Sequence, residues 1–235
     1  MDEPLPESAS FGEVYRHALS GDDMGRFLGL TDGVFAFAIT LLVVNLLVPL
    51  TCETQSEESC LLTALGKDEF VFLAYTISFF VIGIWWVQHH AIFRYIARYD
   101  PALMWANMLF LLAIAVTPFI LGLFANFFGV EAAVAIFALV QAAAGFLLAI
   151  VWEVAVRADL LRPEATPAVI SVFRKQGLII PVIFLVSAGV STLSVYAAHF
   201  IWIAVFVEIL WLQLAATRLR SLRPRGRVPA TASQG

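Results

Sequence analysis

Residues 26–49 read RFLGLTDGVFAFAITLLVVNLLVP, and after Asp32 the stretch 33–48 carries no formal charge. At about 1.5 Å of rise per residue, such a run crosses the roughly 30 Å hydrocarbon core of a bilayer as one helix. Its entrance is not that of a plain anchor. Arg26 and Asp32 sit within two turns, and Thr31, Thr40 and Asn45 add polar groups that lipid does not satisfy. One face of this helix therefore requires protein or water.

The rest of the chain has the same character. Hydrophobic residues make up 61% and charged residues 14%, the charges being bunched between apolar blocks, and the mean hydropathy is +0.88. This composition excludes an ordinary soluble domain and predicts an all-α polytopic membrane protein. Apolar blocks near 26–49, 69–93, 101–127, 131–157, 177–197 and 199–217 predict six spans. The chain then divides into a tail over 1–24, a six-helix transmembrane unit over 25–217 and a basic tail over 218–235. Between the fourth and fifth spans, Thr166 followed by Pro167 is a good helix start, with Arg174 and Lys175 at the far end. A short helix lying on the membrane surface is expected there.

Placement of basic residues sets the orientation. Arg16 and Arg26 precede the first span, Arg94 and Arg98 follow the second, and Arg157, Arg162, Arg174 and Lys175 follow the fourth. Arg218, Arg220, Arg223, Arg225 and Arg227 follow the sixth, so that Lys67 alone lies opposite. By the positive-inside rule both termini are cytoplasmic, in a multi-pass protein of a cell membrane such as a bacterial inner membrane. The net charge of -4 does not point to nucleic acid. Cys52 and Cys60 share an acidic loop that then faces outward, where they form either a disulfide or two free thiols. No histidine accompanies them, and no metal site is expected.

Depth can be compared across the spans. The first rises, the second descends and the third rises again, so Arg26 and Asp32, then Trp86, His89 and His90, then Asn107 all fall near the inner end. A carboxylate and an imidazole at this level are costly unless paired, and Asp32 is expected to bond Arg26, His89 or His90. The cluster serves either as a clasp that fixes the helix ends or as a group that titrates and gates. Haem is not expected, because His89 and His90 are adjacent and point about 100° apart on a helix. Neither GxSxG nor HExxH occurs, and nothing argues for an enzyme or a cofactor.

These same residues carry a resemblance. RFLGLTDGVFAFAITLL resembles the first-helix signature of the transmembrane protein 175 family of bacterial and lysosomal potassium channels, in which an arginine, three residues and Phe-Ser-Asp follow one another. Trp86-x-x-His89-His90 running into Phe93, then Asn107 with Leu109, Phe110 and Pro118-Phe119, are similar to the family's second and third helices. The resemblance covers roughly 26–119. It implies a homotetramer that passes potassium ions through a central pore lined by the first helix. Phe37, Leu41 and Val44 match the family's apolar constriction and Thr40 its threonine layer. Independently, 37, 40, 41, 44 and 48 follow helical spacing and form one stripe, which taken alone reads as a lipid-facing or packed face and becomes a pore lining only through the resemblance.

Two departures stand out. Leu30-Thr31-Asp32 keeps the hydroxyl and the carboxylate but loses the aromatic ring, and Phe37 replaces a branched aliphatic residue at the constriction. Glu208 falls near the middle of the last span, where it is expected to be protonated or bonded to Gln141 or Ser187. Gly122, Gly145, Gly189 and the run 142–144 are expected to let helices approach closely. Two rivals remain to the channel. One is a proton-coupled secondary transporter with a relay through Asp32, His89, His90 and Glu208, and the other is a non-conducting scaffold.

Overall fold

The computed structural model describes residues 9–21, 24–45, 69–203, 205 and 207. Every named element among them is helical. A short helix, α1 (Phe11–Ala18), starts at a capping box in which the Ser10 side chain accepts from the Glu13 amide and Glu13 accepts from the Ser10 amide. α2 (Met24–Leu41) tightens into a 3-10 turn at Leu42–Asn45. α3 (Glu69–Phe93), α4 (Pro101–Asn126), α5 (Glu131–Arg157) and α6 (Pro167–Ser191) follow, and a last helix, α7, is described over 195–203.

Local chemistry sets the helix starts. Asp100 caps α4 by accepting from the Leu103 amide at 2.8 Å, with Pro101 in the first turn, where its missing N–H costs nothing. Thr166 and Pro167 do the same for α6. That start, expected to open a short surface helix, instead opens a single helix of 25 residues reaching Ser191. Along its charged turns this helix stays against α5, where the exposed Glu153 carboxylate takes Arg174 at 2.8 and 3.1 Å and also Arg157 at 2.8 Å.

Five helices among the described residues are long and apolar enough to cross a membrane, spanning Met24–Val44, Tyr75–Phe93, Pro101–Asn126, Glu131–Arg157 and Pro167–Ser191. The sixth expected span, 199–217, lies mostly outside the described residues, as do Cys52, Cys60 and Glu208. Gln141 and Ser187, considered as partners for Glu208, are occupied by tryptophans. Trp85 Nε1 donates to Gln141 Oε1 at 3.0 Å, and Trp202 Nε1 donates to Ser187 Oγ at 2.7 Å.

α4 packs against α2, α3 and α5, and α5 packs against α6. The buried core runs along α4 through Leu103, Phe110, Ile114, Leu121 and Phe124. Small residues matter unequally. A Cβ added at Gly145 would stand 2.7 Å from both Pro181 Cβ and Trp85 Cη2, whereas one at Gly189 would meet nothing within 4 Å among the described residues. Gly145 is therefore where α3, α5 and α6 converge, and no such convergence is seen at Gly189 among the described residues. Gly145→Ala is expected to lower stability by about 1–3 kcal/mol through overpacking, with Gly189→Ala near neutral. Thermal unfolding midpoints of the two variants in detergent check this, and equal midpoints would refute it.

Candidate functional site

Thr31, Phe35 and Ala38 form the buried face of α2, continued by Leu42 in the 3-10 turn, at spacings of four, three and four. Thr31 Oγ1 turns back to donate to the Phe27 carbonyl at 3.3 Å, which leaves it only lone pairs for a second partner. That partner is Asn107 Nδ2 on α4 at 3.0 Å. The amide orientation follows, since its donor side faces Thr31 and Oδ1 must face the other way. There it meets His89 Nε2 of α3 at 2.9 Å, so this ring nitrogen carries a hydrogen and donates.

One amide thus joins three helices. Thr31 is 0% exposed, and His89 and Asn107 are each 2% exposed. Aromatic rings close the space around them. Phe93 stacks on the His89 ring at 4.1 Å and Phe110 at 5.6 Å, with Phe35 tilted at 6.0 Å. Below, Phe27 stacks between Phe93 and Tyr99 at 5.6 and 5.5 Å. Water is kept from bonds that in turn have no alternative partner.

Asp32 belongs to a second chain outside the first. Its Oδ1 accepts from Trp86 Nε1 at 3.0 Å, and the Trp86 ring stacks on His90 at 5.4 Å, one turn along α3. The expected pairing of Asp32 with Arg26, His89 or His90 does not occur. Six residues separate Arg26 from Asp32, which puts them about 120° apart around α2, and His89 is turned toward α4 instead. Arg26 and His90 are both exposed. Sequence reasoning brought the right residues to one level but missed Trp86 as the acid's donor. The i,i+4 spacing of Trp86 and His90 was the available signal.

Among the described residues, nothing covers the opposite face of α2. Phe37 is 65% and Val44 62% exposed, Thr40 is exposed between them and Leu41 is half-buried. Thr40 Oγ1 donates to the Phe37 carbonyl at 3.0 Å, which ties its hydroxyl hydrogen to the backbone and leaves its lone pairs outward. Residue 48, the last of the expected stripe, is outside the described residues. Among the described residues, no group of three His, Cys, Asp or Glu could hold a metal ion.

The family model described as the endosomal/lysosomal potassium channel TMEM175 matches residues 26–118. A potassium channel of Streptomyces collinus is 37% identical over 135 residues, which are 56% of this chain and 64% of that protein's length, just under two thirds. A potassium channel of Chamaesiphon minutus is 33% identical over 180 residues, 74% of this chain and 87% of the relative. The crystal structure of a lysosomal potassium-selective channel TMEM175 homolog from Chamaesiphon minutus matches with a TM-score of 0.69 at 28% identity, covering 83% of this chain and 98% of that one.

The two hydrogen-bonded chains differ in what a substitution leaves behind. Asn107→Leu strands the buried His89 N–H and is expected to cost about 1–3 kcal/mol, whereas Trp86→Phe frees an exposed carboxylate to meet solvent and is expected to cost under ~1 kcal/mol. Thermal unfolding in detergent measures both, and the reverse order would show that the buried amide is not the stronger joint.

Proposed function

This chain belongs to the TMEM175 family, and from that membership we propose that it is a subunit of a potassium-selective channel, conducting passively through a central pore of four copies lined by α2. The observation that carries this reading is the two-sidedness of α2. Its buried side, with Thr31 and Phe35, is committed to α3 and α4, and among the described residues nothing covers the side bearing Phe37 and Thr40, which continues through Val44 in the 3-10 turn.

In the tetramer, four copies of Phe37, Leu41 and Val44 narrow the pore with apolar side chains and gate it by dewetting. The Thr40 hydroxyls lie between these layers. With their hydrogens held by the Phe37 carbonyls, their oxygens accept contact from a passing cation. Phenyl rings at position 37 make the narrowing more severe than a branched aliphatic residue does. The Thr31–Asn107–His89 joint acts at a distance, by fixing the rotation of α2 and so the face it presents. The protein's work is electrostatic and involves no catalysis. Both termini lie in the cytoplasm of a cell whose surface membrane holds the channel, as the basic residues support.

A proton-coupled carrier is less well supported. Asp32 bonds Trp86 and His89 bonds Asn107, and among the described residues no direct hydrogen bond joins the two.

Flux into liposomes holding the purified protein tests the proposal. Wild type is expected to pass potassium over sodium without a proton gradient, Phe37→Ala to pass more of both, and Thr40→Ala to discriminate less between them. If wild type and Phe37→Ala are both silent until a proton gradient is applied, the channel reading fails.

A further inference from the structure

At the end of the bundle where the basic residues gather, a cavity of about 710 Å³ opens between α2, the end of α3 and the connection from α5 to α6. Its apolar part is made by Leu28 and Phe93, and its charged part by Arg94, Arg162, Asp32 and Glu164, with His89, His90 and Tyr95 also on the wall. The walls are held by backbone bonds. The Arg162 amide donates to the Tyr95 carbonyl at 2.8 Å and the Ala97 amide to the Leu160 carbonyl at 2.8 Å. Asp159 turns the chain with a left-handed φ of 53°, and its carbonyl accepts from Arg98 Nη2 at 2.9 Å. Arg94 and Arg162 are thereby brought together from different connections, although 68 residues separate them in sequence.

The arginines at this end are not used alike. Arg98, Arg157 and Arg174 are each hydrogen-bonded within the chain. Among the described residues, the guanidiniums of Arg94 and Arg162 have no hydrogen bond or ion pair, and both line the cavity. Two guanidiniums, planar and weakly hydrated, beside an apolar floor suit a phosphate that carries hydrocarbon. The two carboxylates on the same wall decide which kind. Two positive and two negative groups balance, which favours neither a free anion nor a strongly anionic headgroup.

We propose that this cavity binds the headgroup of a zwitterionic phospholipid with a primary amine, its phosphate on Arg94 and Arg162, its ammonium on Glu164 and Asp32, and its acyl chains leaving past Leu28 and Phe93. A phosphoethanolamine headgroup has this pattern. A choline headgroup has the charges without N–H donors for the carboxylates, and a glycerol headgroup lacks the positive charge. The site ties the inner ends of α2 and α3 to the surrounding leaflet. It stands whether or not the chain conducts.

The test is lipid retention by the purified full chain in detergent, read by native mass spectrometry with phosphatidylethanolamine, phosphatidylcholine and phosphatidylglycerol of the same acyl chains. Wild type is expected to retain the ethanolamine lipid best. Arg94→Gln and Arg162→Gln are each expected to lower its retention about fivefold, the factor that a near-surface arginine contributes. Arg94→Lys is expected to keep only part of it, since an ammonium supplies the charge without the planar pair of donors. Glu164→Gln is expected to shift preference toward the glycerol lipid, and unchanged lipid-free unfolding midpoints in these variants separate lost binding from lost folding. The proposal is overturned if the three lipids are retained alike, if the double arginine variant retains the ethanolamine lipid as wild type does, or if no lipid is retained because another copy covers the cavity. It is equally overturned if glycerophosphoethanolamine or inorganic phosphate raises the wild-type midpoint as much as the lipid, for the source is then a soluble phosphate.

Discussion

The Asn107 amide is the joint on which one end of the bundle depends. Away from water its donor and its acceptor must both find protein partners, and each has one, Thr31 on α2 and His89 on α3. An interaction of this kind restrains rotation as well as distance. Turning α2 by one residue, about 100°, would pull Thr31 out of reach and leave the buried Asn107 Nδ2 donor unpaired. The uncovered face of α2, with Phe37 and Thr40, is therefore a consequence of bonds made on the opposite side of the same helix.

Aromatic packing makes that joint durable. Phe35, Phe93 and Phe110 surround His89 at one end of α4, while Phe124, Phe137 and Trp202 meet around its far end at 5.0–5.5 Å. Between them Gln141 takes Trp85 and reaches Thr117 at 3.5 Å, a second buried amide linking α3, α4 and α5. α4 thus has polar ties to its neighbours at two depths and apolar packing around both. Gly145 lets the ring of Trp85 come close enough for its tie to form.

The basic end is organised by charges of a different kind. Glu153 gathers Arg157 and Arg174 where solvent screens them, so the pair directs the course of α6 more than it adds stability. Arg98 holds the neighbouring turn through a backbone carbonyl. With these arginines committed, Arg94 and Arg162 are left facing a cavity, and the charge available to a ligand is defined by what the fold has already used.

Much of the architecture was legible from residues alone. The apolar runs, the start at Thr166 and the common level of Asp32, His89 and Asn107 are local properties of hydropathy, capping and rise per residue, and the sequence determined them by itself. The division of labour within the site was not legible. That Asn107 rather than Asp32 meets His89, that Trp86 rather than Arg26 meets Asp32, and that α6 runs unbroken past Arg174 were decided by tertiary structure. These outcomes join residues 18, 54 and 21 positions apart, and they depend on how far each helix is turned about its axis. Rotation is set only when buried polar groups on several helices are satisfied together, which no single stretch of sequence can specify.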